Sequence, residues 1–209
     1  MSMTAFSSRV YLLRHGELTT KDVLAGHTDF ILSKKGFEQL NIACGRLANI
    51  DLVTSSSLKR CSEFARQFCD FNKIPLNITD DIKEFNFGDW DGQSYDELWQ
   101  HTKTPTIGDF WQSPWLVTPP NGESMAHFYQ RITTWWQQLL VNTICQGTRS
   151  QLVITHAGVI KQLLAIICQV PKQLNYQNIF TVGYGKVICI DIFLMKMAKL
   201  GLKLFFKNA

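Results

Sequence analysis

The apolar positions of this chain fall into short runs that alternate with stretches of helical spacing. Runs of four to eight apolar residues rich in β-branched side chains are typical of buried strands, and apolar residues three or four positions apart are typical of helices. The pattern predicts strands at residues 10–13, 51–55, 151–155, 187–194 and 202–206. It predicts helices at residues 33–48, 58–71, 123–144 and 159–168.

The order of these elements predicts an open α/β fold. The first seventy residues alternate strand, helix, strand and helix, which favours a parallel sheet with right-handed crossovers. Ser33 is the expected N-cap of the first helix, because a serine hydroxyl accepts a hydrogen bond from a free backbone amide of the first turn.

Residues 80–121 interrupt this regularity. They are rich in Trp, Asp, Gly and Pro and lack a strong apolar period. Ser94 and Glu97 have the spacing of a capping box and predict one short helix. We interpret residues 80–124 as a cap over the sheet, within one domain that spans residues 1–209.

Composition narrows the class of protein. Of the 209 residues, 45% are apolar and 18% are charged, which is ordinary for a globular chain and argues against disorder. The net charge of +4 is not gathered into a Lys/Arg block, so we expect no nucleic-acid partner. The most apolar stretch, residues 187–195, is too short to span a bilayer, so we expect no membrane partner.

The six cysteines show no pairing or metal pattern. None forms a C-x-x-C pair, and no Cys/His cluster has the spacing of zinc ligands, so we expect no metal. The N-terminus lacks a charged region followed by an apolar region, as a signal peptide would have. Free thiols without a leader favour a cytoplasmic location.

Two predicted strands end in a histidine that is closely followed by glycine: His15 after the first strand and His156 after the strand at 151–155. Ligands of open α/β sheets bind outside the carboxyl ends of the strands. If both strands are central and parallel, the two histidines meet at that edge.

Arginines accompany both histidines. Arg14 directly precedes His15, and Arg60 lies at the start of the helix that follows the serines at 55–57. A guanidinium matches phosphate oxygens in a bidentate fashion, and a helix N-terminus offers amides and a favourable dipole to an anion. The pattern indicates an anion site.

Glu84 is a candidate proton donor. It lies among aromatic residues, and a carboxyl group beside apolar surface can remain protonated and act as a general acid. Asp89 and Asp91 lie nearby in the sequence and compete for this role.

Four ordered blocks of sequence resemble the histidine phosphatase superfamily, the phosphoglycerate-mutase-like enzymes. The blocks are Leu13-Arg14-His15-Gly16-Glu17, residues 55–61 around Arg60, Glu84 with residues 87–92, and Thr155-His156-Ala157-Gly158-Val159. Residues 26–36 also fit the family pattern. The resemblance covers nearly the whole chain, and it implies a three-layer sandwich with a mainly parallel central sheet flanked by helices.

The resemblance also implies roles for individual residues. His15 would be the nucleophile that becomes phosphohistidine, Glu84 would protonate the leaving oxygen, and Arg14, Arg60, His15 and His156 would bind the phosphoryl group. No metal or other cofactor is implied, because arginines supply the cations. Many members carry an asparagine shortly after the first block, where this chain has residues 18–21. Thr20 or Lys21 would have to replace that contact, and Gly26, His27 and Thr28 are further possible substrate contacts.

The expected partner is a small-molecule phosphate ester. Within the family, the chain length and residues 120–124 with Phe128 and Arg131 resemble the alpha-ribazole phosphatases, which act late in cobalamin nucleotide-loop assembly. The alternatives are a phosphoglycerate mutase, a broad-specificity sugar-phosphate phosphatase, and a binding module without turnover. The cap tryptophans Trp90, Trp99, Trp111 and Trp115 would either pack the cap or stack on a flat substrate.

Overall fold

The computed structural model describes residues 4–101, 103–172, 177, 179–195 and 200–206. Its strands are β1 (Thr4–Arg14), β2 (Leu52–Ser56), β3 (Leu76–Thr79), β4 (Ser150–Thr155), β5 (Val187–Met195) and β6 (Leu200–Phe206). Its helices are α1 (Lys34–Gly45), α2 (Lys59–Asn72), α3 (Tyr95–Gln100), α4 (Ile107–Gln112), α5 (Met125–Gln146) and α6 (Ala157–Ile167).

The strands form one mixed sheet in the order β3-β2-β4-β1-β5-β6. β4 lies between β2 and β1 and is parallel to both, and β3 is parallel to β2. β5 and β6 complete the sheet as an antiparallel pair beside β1. The prediction of a mainly parallel sheet is confirmed, and β1 and β4 are its central neighbours.

Two hydrophobic clusters cover the two faces of the sheet. Successive residues of a strand point to opposite faces, so Leu12 and Leu13 of β1 belong to different clusters. Leu13 packs with residues of α1 and α2, and Leu12 packs with α5, α6 and the segment 82–110. The result is the predicted three-layer arrangement of helices, sheet and helices.

Several local predictions are confirmed. Ser33 caps α1 through a hydrogen bond from Gly36 N to its Oγ, at 3.0 Å. Ser94 and Glu97 form the expected capping box of α3. The two strands at the C-terminus are present. The turn predicted between them falls on residues 196–199, which lie outside the described residues.

Two elements were not predicted. β3 is a four-residue edge strand whose sequence, Leu-Asn-Ile-Thr, alternates apolar and polar positions, but it is too short for that alternation to stand out. α4 has a sequence signal, because Thr106 and Asp109 form a second capping box. Its six residues are too few for a helical period to stand out.

All six cysteines are free, and Cys44, Cys61, Cys69 and Cys189 are buried. No helix in the described part of the chain is long and apolar enough to cross a membrane.

Candidate active site

The two strand-end histidines meet at the carboxyl edge of the sheet. Arg14 of β1 is in register with Thr155 of β4, so the next residue of each strand, His15 and His156, leaves the sheet at the same place. His15 N donates to Thr155 O at 2.9 Å. The two rings lie 5.3 Å apart between centroids, and both side chains are buried.

The His15 ring is held in one tautomer. Its Nδ1 lies 2.8 Å from Gly16 O, and because a carbonyl only accepts, Nδ1 carries the hydrogen. Burial lowers the pKa of His15 well below its usual value, and the charges of Arg60 and Arg14 lower it further. His15 is therefore neutral at pH 7, with the lone pair on Nε2.

His156 is also neutral but fully engaged. Its Nδ1 accepts from Arg60 Nε at 3.1 Å, so its Nε2 carries the hydrogen and donates to Ser56 Oγ at 2.8 Å. Burial, then Arg60 and His15, lower the pKa of His156 well below its usual value.

Arg14 presents a donor to the site. Its Nη1 donates to Val182 O at 2.6 Å, and its guanidinium lies 4.0 Å from the ring centroid of Tyr184. Its Nε is buried and has no hydrogen-bond partner among the described residues. A buried donor without a partner is costly, and this cost is borne here by Arg14.

Arg60 is completely buried and bonds to protein groups. Besides His156, it donates to Thr28 O at 2.9 Å and to Gly26 O. Arg60 thereby fixes the loop at residues 25–28 and the tautomer of His156.

The Glu84 carboxylate lies at the N-terminus of α6. Oε2 accepts from Gly158 N at 3.0 Å, and Oε1 accepts from Phe85 N at 3.0 Å. Arg131 holds the backbone of this segment, because its Nη1 donates to Asp81 O at 2.8 Å and to Lys83 O at 3.0 Å. A buried Glu123 in turn pairs with Arg131 at 2.8 Å.

Asp89 and Asp91, the two carboxylates that competed with Glu84 for the role of proton donor, bond to loop residues instead. Asp91 accepts from the backbone amides of Gly26, His27 and Thr28. Asp89 is exposed and accepts from Asn121 Nδ2 at 3.0 Å. Neither lines the cavity that Arg14, His15 and Glu84 share.

Gly158 is required for the position of Glu84. A Cβ at residue 158 would overlap Glu84 Oε1. We expect Gly158→Ala to displace the carboxylate and to lower kcat on an alkyl phosphate by at least about tenfold. Steady-state kinetics test this, with the exposed helical Gly45→Ala, where a Cβ meets nothing, as the control. Unchanged kcat in Gly158→Ala would contradict it.

Arg14, His15 and Glu84 line one cavity of about 370 Å³, whereas Arg60 and His156 do not line it. Lys161 and Gln177 add further polar side chains to the lining. Its aromatic lining comes from the cap and the C-terminal loop: Phe85, Phe87, Tyr95, Phe110, Trp111 and Tyr184. The volume is within the usual range of small-molecule sites, roughly 300–1,000 Å³.

A family comparison identifies this arrangement. Residues 10–192 match the model of the histidine phosphatase superfamily (branch 1). The chain belongs to this family. It is a phosphoric monoester hydrolase, as the predicted resemblance implied.

Relatives of this histidine phosphatase carry more than one name. The adenosylcobalamin/alpha-ribazole phosphatase of Escherichia coli (strain K12) is 29% identical over 189 residues, which span 88% of this chain and 90% of that protein. The crystal structure of the alpha-ribazole phosphatase from Shigella flexneri is 27% identical with a TM-score of 0.80, covering 96% of this chain and 97% of that one. The 2,3-bisphosphoglycerate-dependent phosphoglycerate mutase of Bartonella quintana (strain Toulouse) is 27% identical over 164 residues, 73% of this chain and 78% of that protein.

The five residues predicted as possible substrate contacts do not line the cavity. Thr20 and Lys21 are exposed, and neither lines the cavity. Gly26 and Thr28 bind Arg60 through their carbonyls, and His27 Nε2 donates to Glu84 O at 2.9 Å. From the same loop, Leu18, Val23, Leu24 and Ala25 line the cavity instead.

The four tryptophans that were expected to pack the cap or to stack on a substrate lie in different positions. Trp111 lines the cavity, whereas Trp90 is buried in the core. Trp99 is 61% exposed, and Trp115 borders a different cavity. Only Trp111 of these four is in a position to contact a ligand beside His15.

Sequence reasoning missed Lys161, Tyr95 and Tyr184, which all line the cavity of this histidine phosphatase. Lys161 follows Ala157 by one helical turn, so its spacing from the His156 block was an available signal. Among the described residues, no group of three or more His, Cys, Asp or Glu side chains has the arrangement to hold a metal ion.

Proposed function

We propose that this enzyme hydrolyses alpha-ribazole 5'-phosphate to alpha-ribazole, in cobalamin nucleotide-loop assembly, through a phosphohistidine at His15. One observation carries the proposal: Arg14, His15 and Glu84 line a single cavity whose lining also includes six aromatic side chains. In this proposal residues 1–209 act as one domain, and residues 80–124 are its cap.

The first step transfers the phosphoryl group to the protein. The lone pair on His15 Nε2 forms an N–P bond, the P–O bond to the alcohol breaks, and the leaving oxygen takes a proton from Glu84. Phosphoryl transfer depends mainly on positioning and on charge stabilisation at the phosphoryl oxygens. Arg14 supplies that charge beside the nucleophile.

The second step returns the histidine. Water attacks phosphorus, the N–P bond breaks, and the Glu84 carboxylate takes the proton of the attacking water. Imidazole is both a competent nucleophile and a competent leaving group, which suits the two steps.

His156 and Arg60 complete the proposed phosphoryl site. The His15 and His156 ring centroids are 5.3 Å apart, so a phosphoryl group on His15 would lie close to the His156 ring, whose Nε2–H donates to Ser56 Oγ in this structure. Arg60 is the cation that holds the His156 ring through a hydrogen bond to Nδ1. Both side chains are fully buried, which strengthens their electrostatic effect on a phosphoryl group.

The aromatic lining supports the choice of substrate. Dimethylbenzimidazole is large, flat and weakly polar, and offset stacking on Phe87, Phe110 or Trp111 suits it. Relatives named alpha-ribazole phosphatase at 27–29% identity support the same choice.

We therefore expect kcat/KM for alpha-ribazole 5'-phosphate to exceed the values for 3-phosphoglycerate and for ribose 5-phosphate. Purified enzyme is assayed on the three substrates side by side, with phosphate release as the readout. If 3-phosphoglycerate or ribose 5-phosphate is preferred by tenfold or more, the ribazole assignment is wrong and the histidine chemistry stands.

Lys161 favours a second candidate. A cation beside the leaving group suits the carboxylate of phosphoglycerate, and one relative is named a phosphoglycerate mutase. A mutase would move phosphate between positions of the substrate and would be activated by a bisphosphorylated effector. Isomerisation of 3-phosphoglycerate that rises with such an effector would favour this candidate over the hydrolase.

A further inference from the structure

Lys161 lies on the face of α6 that forms part of the cavity. Ala157, Gly158 and Lys161 all line it, because residues three and four apart share one helix face. Long side chains in a helix lean towards its N-terminus. The N-terminus of α6 is where Gly158 N binds the Glu84 carboxylate.

The ammonium of Lys161 is held in place but not saturated. Among the described residues it donates one hydrogen bond, to Gln177 O at 2.7 Å, and an ammonium has three donors. The side chain is half-buried, and burial lowers the pKa of Lys161, while the nearby Glu84 raises it. A partly desolvated cation with unused donors, beside the proton donor, is suited to a ligand.

We propose that Lys161 is a specificity-determining residue that binds an oxygen acceptor of the leaving alcohol, either a hydroxyl of a sugar or a carboxylate close to the ester. This inference rests on the proposed role of Glu84. The oxygen that Glu84 protonates is the ester oxygen. The Lys161 side chain leans towards the end of α6 that holds Glu84, so its ammonium is placed to meet an oxygen of the alcohol close to the ester.

A purely structural role makes a different prediction. If Lys161 only tethers the backbone at Gln177, its removal loosens one wall of the cavity for every substrate alike. If Lys161 binds an oxygen of the leaving alcohol, its removal affects only substrates that carry an oxygen near the ester. Phenyl phosphate has no such oxygen, whereas ribose 5-phosphate has hydroxyls and 3-phosphoglycerate has a carboxylate.

The test compares wild type, Lys161→Met, Lys161→Arg and Lys161→Gln on these three substrates. Methionine keeps the aliphatic stem, arginine keeps the charge, and glutamine is the second neutral variant should the methionine variant melt early. Lys172→Met is the matched control, because Lys172 packs on Tyr129 at a different cavity.

We expect Lys161→Met to raise KM for ribose 5-phosphate about tenfold, with kcat changed less than threefold, since a hydrogen bond to a charged group is lost. Phenyl phosphate kinetics should stay within twofold, and Lys161→Arg should restore most of the loss. A loss confined to 3-phosphoglycerate also supports the inference and identifies the acceptor as a carboxylate.

Equal losses on all three substrates, or none on either oxygen-bearing substrate, overturn the inference. The proposed phosphatase chemistry is judged separately, by hydrolysis of phenyl phosphate by the wild type. Failure of that reaction contradicts the proposed function, whereas failure of the comparison between substrates contradicts only the role of Lys161.

Discussion

His15→Ala is expected to lower kcat by a factor of about 10³ or more, because alanine removes the only atom proposed to bond to phosphorus. Among the described residues that line the cavity, His15 is the only imidazole. His156 is the nearest other imidazole, and its two ring nitrogens bond to Arg60 and Ser56. Turnover of p-nitrophenyl phosphate provides the measurement. His101→Ala is the matched control, because His101 is exposed in the cap segment.

The same prediction has a chemical readout. Brief mixing with a ³²P-labelled phosphate ester, followed by denaturation, should trap an acid-labile and alkali-stable label on His15. The label should form at pH 6 as well as at pH 8, because burial and two arginines lower the pKa of His15 well below its usual value and keep Nε2 unprotonated. Label on a serine, or full activity in His15→Ala, would contradict the mechanism.

The position of the active site was predictable because it depends on the ends of two strands. A histidine that follows a buried parallel strand is delivered to one edge of the sheet, whatever the loops do. His15 and His156 therefore meet as expected. Glu84 was the carboxylate expected beside them, and it lines the cavity. The sequence left Asp89 and Asp91 as competitors, because all three have similar neighbours along the chain. Hydrogen bonds with the backbone at residues 26–28 assign Asp91 to the loop.

The rest of the cavity lining depends on tertiary packing and was less accessible to sequence reasoning. Lys161 enters the cavity from the second turn of α6, and Tyr184 enters from the loop before β5. Neither has a motif of its own. Arg60 was expected to face the phosphate, yet its donors reach Gly26 and Thr28, because a fully buried guanidinium must satisfy its N–H groups on nearby carbonyls. A sequence motif therefore predicts which residues lie close together in the fold, whereas packing decides which group each of these residues contacts.

Glu84→Gln is expected to slow hydrolysis of ribose 5-phosphate by about 10²–10⁴-fold, the usual range for loss of a general acid. An alkoxide is a poor leaving group and needs a proton as the P–O bond breaks. The p-nitrophenolate ion leaves without one, so the same variant should lose less than about tenfold on p-nitrophenyl phosphate. Glutamine is nearly isosteric and its amide oxygen can still accept from Gly158 N, although its amide nitrogen cannot accept from Phe85 N as Glu84 Oε1 does.

The contrast between the two leaving groups separates proton donation from positioning. Asp89→Asn serves as the control, because this exposed carboxylate bonds to Asn121 outside the cavity, and it should leave both reactions unchanged. Equal losses of Glu84→Gln on both substrates would mean that Glu84 organises the start of α6 rather than donating a proton. The proton would then have to come from the phosphate monoanion or from water, because neither Asp89 nor Asp91 lines the cavity.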